Sequence, residues 1–527
     1  MRPNIILFYP RLGWMDAFIL DLPLSVVYAA FDCQKNGIDV RIIDQRIEGK
    51  AWRESLLAAI DSETILVGFS AMSGNPILHA LEATRLVKHH HPTLATVWGG
   101  MHVTICPDEA MREPSIDFIV RGLGSLPMFQ LTRCLWKGEG NLQDILGLGW
   151  KENGHIRLNE MACTAEYPPL GELRFEGLPM DRYTRFNYKD RVYSLFTSFG
   201  CPHNCRFCFA PIFWKGIKGR RWFPYAPEDV VEHVVDMVAR YKVGYISLLD
   251  ENFFMDLRRA EKILSDIYDR GVRVNWGIRG ARIDDLDRMS DAMYALMVKV
   301  GVRQIMIGAE SGSPRVLREL MKKGITPEQT IRVNKRLSQF PSITPSYNFL
   351  SGLPNETEED MFLSVDLILQ LMEDNPQASF SGMNQFIPFP GSELFNSCVE
   401  HGFTPPDTLE KWAVVDTHYN QSPAVWLDTK THATLNAIQA ALMFADRKVE
   451  RELGGAGQGT GASNSRGLVL GALFSLIILG ARLYRPIALF RLRRKFFKFP
   501  IDYMLIRLAS SVVGKISSLG KQGAAER

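Results

Sequence analysis

The stretch VYSLFTSFGCPHNCRFCFA, residues 192–210, runs from β-branched and aromatic residues straight into three cysteines. Its first half has the composition of a buried strand, and the thiols of Cys201, Cys205 and Cys208 follow directly after that strand's carboxyl end. Two metal chemistries suit so tight a group. Structural zinc takes four ligands, and the nearest fourth is His203 inside the same loop, a cramped arrangement. A four-iron cube can instead be gripped at three corners by thiolates, leaving one iron open to an organic ligand. The remaining cysteines, Cys33, Cys106, Cys134, Cys163 and Cys398, stand singly and are too sparse for a disulfide scaffold, so they read as buried thiols.

Downstream of the cysteines, helical stretches alternate with strands such as YISLLDENF, VRVNWGIRG, RQIMIGAESG and TPSYNFLSGLP. Six strands with helices between them predict an α/β, partial (β/α)6 TIM-like barrel over 191–400. Polar residues fall at the strand ends, so Asp250, Glu251, Asn252, Arg279, Arg282, Glu310, Ser311, Ser351 and Asn384 are expected around one mouth.

Upstream, residues 1–150 alternate short Val/Ile-rich runs with helical stretches, the pattern of a doubly wound, Rossmann-like domain whose parallel sheet is covered on both faces. Ligands in such sheets lie at the carboxyl ends of the strands. There the sequence has SAMSGN (70–75), GGMH (99–102) and RGLGS (121–125), small residues that admit a large flat ligand to the backbone. GWKENGHIRLNE predicts a hairpin turning at Asn153-Gly154. The span 151–190, with its Pro-rich EYPPLGELRF, is expected to link the two domains.

Beyond the barrel, a helical region is expected over 401–451, a Gly/Ser-rich flexible linker over 452–466 and a hydrophobic, basic tail over 467–527. The uncharged run 467–481 falls short of the roughly 20 apolar residues a spanning helix needs. Arg482, Arg485, Arg491, Arg493, Arg494, Lys495 and Lys498 are interleaved with Leu and Phe after it, as in a segment lying on an anionic membrane surface. A packed helix is the alternative.

At 527 residues, 46% hydrophobic and 23% charged, with a mean hydropathy of -0.06, the chain is that of a water-soluble protein of two or three domains and not of a polytopic membrane protein. A net charge of +3 implies no general attraction to nucleic acid. The N-terminal apolar run is interrupted by Pro10 and Arg11, too early for a secretory signal, so a cytoplasmic enzyme is expected, peripheral on the inner face of the cell membrane.

The spacing Cys201-x3-Cys205-x2-Cys208, with Phe207 before the last cysteine and a barrel strand ahead, resembles the signature of the radical S-adenosylmethionine (SAM) family. LLDENFF (248–254), IGAESGS (307–313) followed by MKKGIT, and SGLPNET (351–357) resemble its SAM-holding segments. The resemblance implies a [4Fe-4S] cluster on the three cysteines. It places Glu310 and Ser311 at the ribose or amino acid part of SAM, Leu353 and Pro354 at the adenine, and Asn252 and Arg279 nearby.

A Rossmann-like domain ahead of such a barrel resembles the cobalamin-dependent branch, over about residues 1–400. This implies cobalamin held near Ser70, Ser73, Gly99, Gly100, His102, Gly122 and Gly124, although Leu123 and Ser125 stand where that branch usually has two glutamates. The Asp-x-His-x-x-Gly motif that supplies a lower axial histidine elsewhere is absent, and His102 is expected to face solvent or to hydrogen-bond within the protein.

The implied activity is C-methylation of an unactivated carbon through a 5'-deoxyadenosyl radical and methylcobalamin. The implied partners are a small hydrophobic substrate (a lipid, hopanoid or isoprenoid, tetrapyrrole or natural product) and an external flavodoxin- or ferredoxin-type electron donor, with no nucleic acid. Oxidative cyclisation or rearrangement without methyl transfer is the alternative within the same architecture. A non-catalytic cobalamin- or cluster-binding protein is the alternative of another class.

Overall fold

The computed structural model describes residues 3–13, 16, 21–162, 166–185, 188–214, 221–415, 424–446, 465–499, 501–502 and 504–505. Cys163 and nearly all of the Gly/Ser-rich 452–466 lie outside the described residues. The chain divides into two units, one formed by 1–280, 295–302 and 387–423, the other by 281–294, 303–386 and 424–527.

The first unit opens with a seven-stranded sheet of β1 (Asn4–Tyr9), β2 (Asp39–Asp44), β3 (Thr64–Ser70), β4 (Ala95–Gly99), β5 (Phe118–Val120), β6 (Leu148–Glu152) and β7 (His155–Leu158). Its order is β2-β1-β3-β4-β5-β6-β7; the first five strands are parallel, β6 is antiparallel to β5, and β7 is antiparallel to β6. Side chains alternate across it. Ile5, Leu7, Leu66 and Val97 pack on one face with Val26 and Ala30 of α1 (Leu24–Lys35), while Ile6, Phe8, Val67, Phe69 and Trp98 pack on the other with Ile77 and Ala80 of α2 (Pro76–His90). Burial on both faces is why these strands read as unbroken apolar runs, and each such side chain contributes about 1.5–3 kcal/mol. The hairpin between β6 and β7 turns at Asn153 (φ 51) and Gly154 (φ 79), the left-handed pair a tight turn requires.

The same unit continues with the parallel strands β8 (Tyr188–Leu195), β9 (Tyr245–Leu248) and β10 (Asn275–Arg282), separated by α3 (Pro227–Tyr241) and α4 (Leu257–Asp269). The second unit carries β11 (Val302–Glu310), β12 (Thr344–Ser351) and β13 (Ser379–Gln385), again parallel, with α5 (Pro327–Leu337) and α6 (Glu358–Asp374) between them. Both helices begin in capping boxes, Thr326 with Gln329 and Thr357 with Asp360, which satisfy the first free amides and stop the chain from extending the loop. The six strands expected of the barrel are thus all present, three in each unit. Two further helices, α7 (Thr429–Ala445) and α8 (Ser465–Arg494), complete the second unit. Among the described residues no helix is long and apolar enough to cross a membrane.

Candidate active site

The cysteine loop leaves the carboxyl end of β8 and is braced from several directions. Asp250, at the end of β9, accepts the backbone N–H of Thr197 at 2.7 Å and the hydroxyls of Thr197 and Ser198 at 2.6 Å each. Arg259 donates to the Thr197 carbonyl at 2.6 Å. Gly200 has φ +82, and a Cβ there would meet the Arg221 carbonyl oxygen at 2.3 Å, so only glycine fits ahead of the first thiol. Arg221 donates to Asn204 and to the Pro202 carbonyl, and Arg206 pairs with Glu393 at 2.8 Å.

Cys205 is buried; Cys201, Cys208 and Phe207 are half-buried. The Ala210 amide donates to the Cys208 sulfur at 3.4 Å, an interaction that favours a thiolate. Among the described residues no three His, Cys, Asp or Glu side chains converge on the position of a single metal ion. A cube needs no such convergence, because each thiolate holds a different iron. The donor set and its amide therefore fit an iron–sulfur cluster better than zinc.

A cavity of about 570 Å³ lies within the first unit. One wall is made of strand ends and the loops after them: Ser70, Met72, Gly99, Gly100, Gly122 and Gly124. A Cβ built on Gly122 meets no atom within 4 Å, so the backbone here borders open space, as a flat macrocycle requires. Opposite stand aromatic rings from around the cysteine loop. Tyr167 stacks on Phe199 with centroids 3.8 Å apart, Tyr28 meets Phe199 edge-on at 5.3 Å, and Phe209, Phe213 and Trp214 complete the wall.

Five charged residues, Asp21, Arg46, Glu166, Glu251 and Arg279, line this cavity. Arg279 pairs with Asp21 at 3.0 Å, and Asp21 also accepts the Ser194 hydroxyl. Glu251 accepts the Gly200 amide at 3.2 Å, and burial, reinforced by neighbouring Asp250, pushes its carboxyl up to about 7.

Of the residues predicted for cobalamin, Ser70, Gly99, Gly100, Gly122 and Gly124 line the cavity. Ser73 and His102 are not among its lining residues. His102 is fully buried, its Nδ1 bonds the Ser73 hydroxyl at 3.0 Å, and its ring lies edge-on to Trp412 at 5.8 Å. Burial pushes its pKa down to about 4, so it is a neutral internal hydrogen-bonding group.

Of those predicted for SAM, Arg279 lines the cavity, and Asn252 is buried at the carboxyl side of β9. Glu310, Ser311, Leu353 and Pro354 are buried in the second unit. Glu310 adopts φ 64 and pairs with the buried Lys323 at 2.9 Å. A Cβ on Gly308 would meet the Glu310 carboxylate at 2.3 Å, so the pair needs glycine beneath it. The Ser311 hydroxyl is engaged by Ser364 at 3.1 Å, and its backbone N–H donates to the Ala309 carbonyl at 2.8 Å. Ser313 donates to Asp360 at 2.6 Å, tying the same loop to α6. The Pro354 loop is held by Glu356, which accepts the Leu353 amide at 3.1 Å and the Ser351 hydroxyl at 3.2 Å.

Sequence reasoning missed Asp21, Glu356, Asp360 and the aromatic wall. Asp21 and Tyr28 lie far along the chain from the residues they meet, and no spacing announces them. Lys323 stood inside a motif already noted, MKKGIT, without a role.

Comparison with known proteins agrees with this geometry. Residues 195–368 match the radical SAM superfamily and residues 21–131 the B12 binding domain. An uncharacterised methyltransferase of Pyrococcus horikoshii is 29% identical over 399 residues, covering 75% of this chain and 82% of its own. Two solved structures share the fold. The radical SAM methyltransferase TsrM of Kitasatospora setae, with cobalamin and a [4Fe-4S] cluster, has a TM-score of 0.66 at 17% identity, over 92% of this chain and 99% of its own. The cobalamin-dependent radical SAM enzyme OxsB, with aqua-cobalamin and SAM, has 0.65 at 17% identity, over 100% and 81%.

This chain is a radical SAM enzyme with an N-terminal B12-binding domain. Its two domains imply an iron–sulfur cluster, SAM and cobalamin as cofactors.

Proposed function

We propose that this enzyme is a C-methyltransferase acting on an unactivated carbon of a small hydrophobic substrate. The observation that carries the reading is the single cavity bounded by glycine strand ends on one side and by the aromatic wall of the cysteine loop on the other. Bound together, the cofactors supply a carbon-centred radical from one-electron cleavage of SAM and a methyl group for transfer. Cys201, Cys205 and Cys208 bind the cluster, and Asp250, Arg259 and Arg221 keep their loop in one shape. Gly99, Gly100, Gly122 and Gly124 let the corrin approach the backbone. Glu310, oriented by Lys323, and the Leu353-Pro354 loop, held by Glu356, bind SAM.

Tyr28, Tyr167, Phe199, Phe213 and Trp214 exclude water from the reacting carbon and favour an apolar substrate. Hydrogen-atom abstraction needs no general base, so no acid–base pair is assigned. An external flavodoxin- or ferredoxin-type protein supplies electrons, and the enzyme works at the inner membrane surface through its C-terminal segment.

Anaerobic reconstitution with product analysis tests this. Methylation yields 5'-deoxyadenosine together with S-adenosylhomocysteine. The first product alone marks a cyclase or rearrangement enzyme, and neither product marks a binding protein; both outcomes overturn the reading.

A further inference from the structure

The C-terminal helix α8 has two unlike faces. Its inner face is packed within the second unit: Ala481, Ala488 and Leu492 are buried, Tyr484 meets Phe444 edge-on at 4.9 Å, and Arg485 donates to the Ala445 carbonyl at 3.1 Å. The segment just beyond is folded back onto the helix. Arg491 and Asp502 form a buried ion pair at 2.8 Å, and the Tyr484 hydroxyl donates to Asp502 at 2.8 Å. Arg493 and Lys495 are anchored to Glu373 and Asp366 of α6, at 2.7 and 2.8 Å.

The outer face is apolar and uncovered. Leu476, Leu479, Leu483, Ile487 and Phe490 are 65%, 51%, 71%, 50% and 58% exposed. They recur at intervals of three and four residues, which at 3.6 residues per turn keeps them in one stripe roughly 80° wide. Phe496, Phe499, Ile501 and Met504 continue the exposed apolar surface past the helix end. Charge selects what such a face meets. From Arg466 to Lys498 the sequence has eight Lys or Arg and no Asp or Glu, and Arg494 and Lys498 are exposed beside the stripe. Three of these cations are paired with acids, but Arg494 and Lys498 stand exposed at the end of the apolar face, and such a face, on a helix too short in apolar length to span, matches the boundary between acyl chains and anionic headgroups. A protein groove lined by neutral residues would offer Arg494 and Lys498 no counter-charge, whereas anionic headgroups would.

We infer that the outer face of α8, led by Leu483 and Phe490, lies in the interface of an anionic membrane while the inner face stays fixed to the enzyme. The helix is then a monotopic keel, part of the folded unit, and neither a hinged anchor nor a span. This inference rests on the membrane-surface reading above but is read without turnover, so methyl transfer and membrane binding fail separately.

The test is flotation of the reconstituted full-length holoenzyme with vesicles of phosphatidylglycerol or of phosphatidylcholine. The enzyme floats with the first and not the second, and added salt releases it in part. Leu483→Gln with Phe490→Gln lowers partition by at least about a hundredfold. Arg494→Gln with Lys498→Gln lowers it about thirtyfold. All four side chains are exposed, and unchanged circular dichroism and cobalamin content show that the variants are folded. Equal flotation on both lipids, or flotation unaffected by the Leu483 and Phe490 changes, overturns the inference. So does a concentration-dependent dimer in sedimentation that these changes dissolve without any vesicle binding, because the face then belongs to a second copy.

Discussion

Asp250 and Thr197 are joined twice, the carboxylate accepting both the backbone amide and the hydroxyl of a residue four positions ahead of Cys201, the first of the three clustered thiols. Removing that carboxylate strands three buried donors, the Ser198 hydroxyl included, and takes one of two neighbouring charges from Arg259, a loss of about 3–5 kcal/mol. Asp250→Ala is expected to halve or further reduce the iron bound per chain after anaerobic reconstitution, with the B12-binding domain unaffected. Asp250→Asn, which keeps one acceptor, retains more. Iron and cobalamin assays on the same samples check this.

Substitution of Cys201, Cys205 or Cys208 by Ala should abolish the broad visible absorption of the cluster and all SAM cleavage. Cobalamin binding should persist, since the cavity wall of Gly99, Gly100, Gly122 and Gly124 is untouched. Alanine at Cys106 or Cys398, buried single thiols, should leave iron content unchanged.

His102 is closed off from the cavity by its bond to Ser73 and its contact with Trp412. Bound cobalamin in the Co(II) state should therefore show no nitrogen superhyperfine splitting in its electron paramagnetic resonance spectrum. His102→Gln, which can keep the bond to Ser73, should leave that spectrum unaltered; a change would make His102 a ligand.

Lys323 positions Glu310. Lys323→Met leaves a buried, unpaired carboxylate and is expected to raise KM for SAM about tenfold or more with a smaller change in kcat. Lys323→Arg should recover much of the affinity, a rescue that a generally weakened fold would not show.

Glu356 gives the fold a pH dependence. Burial lifts its carboxyl from 4.5 to about 7, and among the described residues its Oε1 finds no hydrogen-bond partner, leaving room for a proton. A folded-state pKa above the unfolded value stabilises fully below about pH 4.5 and is lost as pH rises through 7, by roughly 3 kcal/mol in all. Stability to urea should fall between pH 5 and 8, and Glu356→Gln should flatten that slope.

How much was legible in the chain follows from the distance over which each signal acts. The cysteine spacing, the apolar runs of β1, β3 and β4, the Asn153-Gly154 turn and the glycines after β4 and β5 are local patterns, set by strand and turn geometry within a few residues. These alone pointed to the two domains and to the thiols.

Tertiary structure decided what each polar side chain faces. It turned His102 inward to Ser73 and Trp412, engaged the Ser311 hydroxyl with Ser364, and brought Asp21 to Arg279 across more than half of the first unit's sequence. It also gave α8 one packed and one bare face, where the sequence shows only an apolar, basic run. Periodicity states that a residue is apolar or near a turn. Its partner is chosen by packing between segments far apart in the chain, and no short pattern encodes that choice.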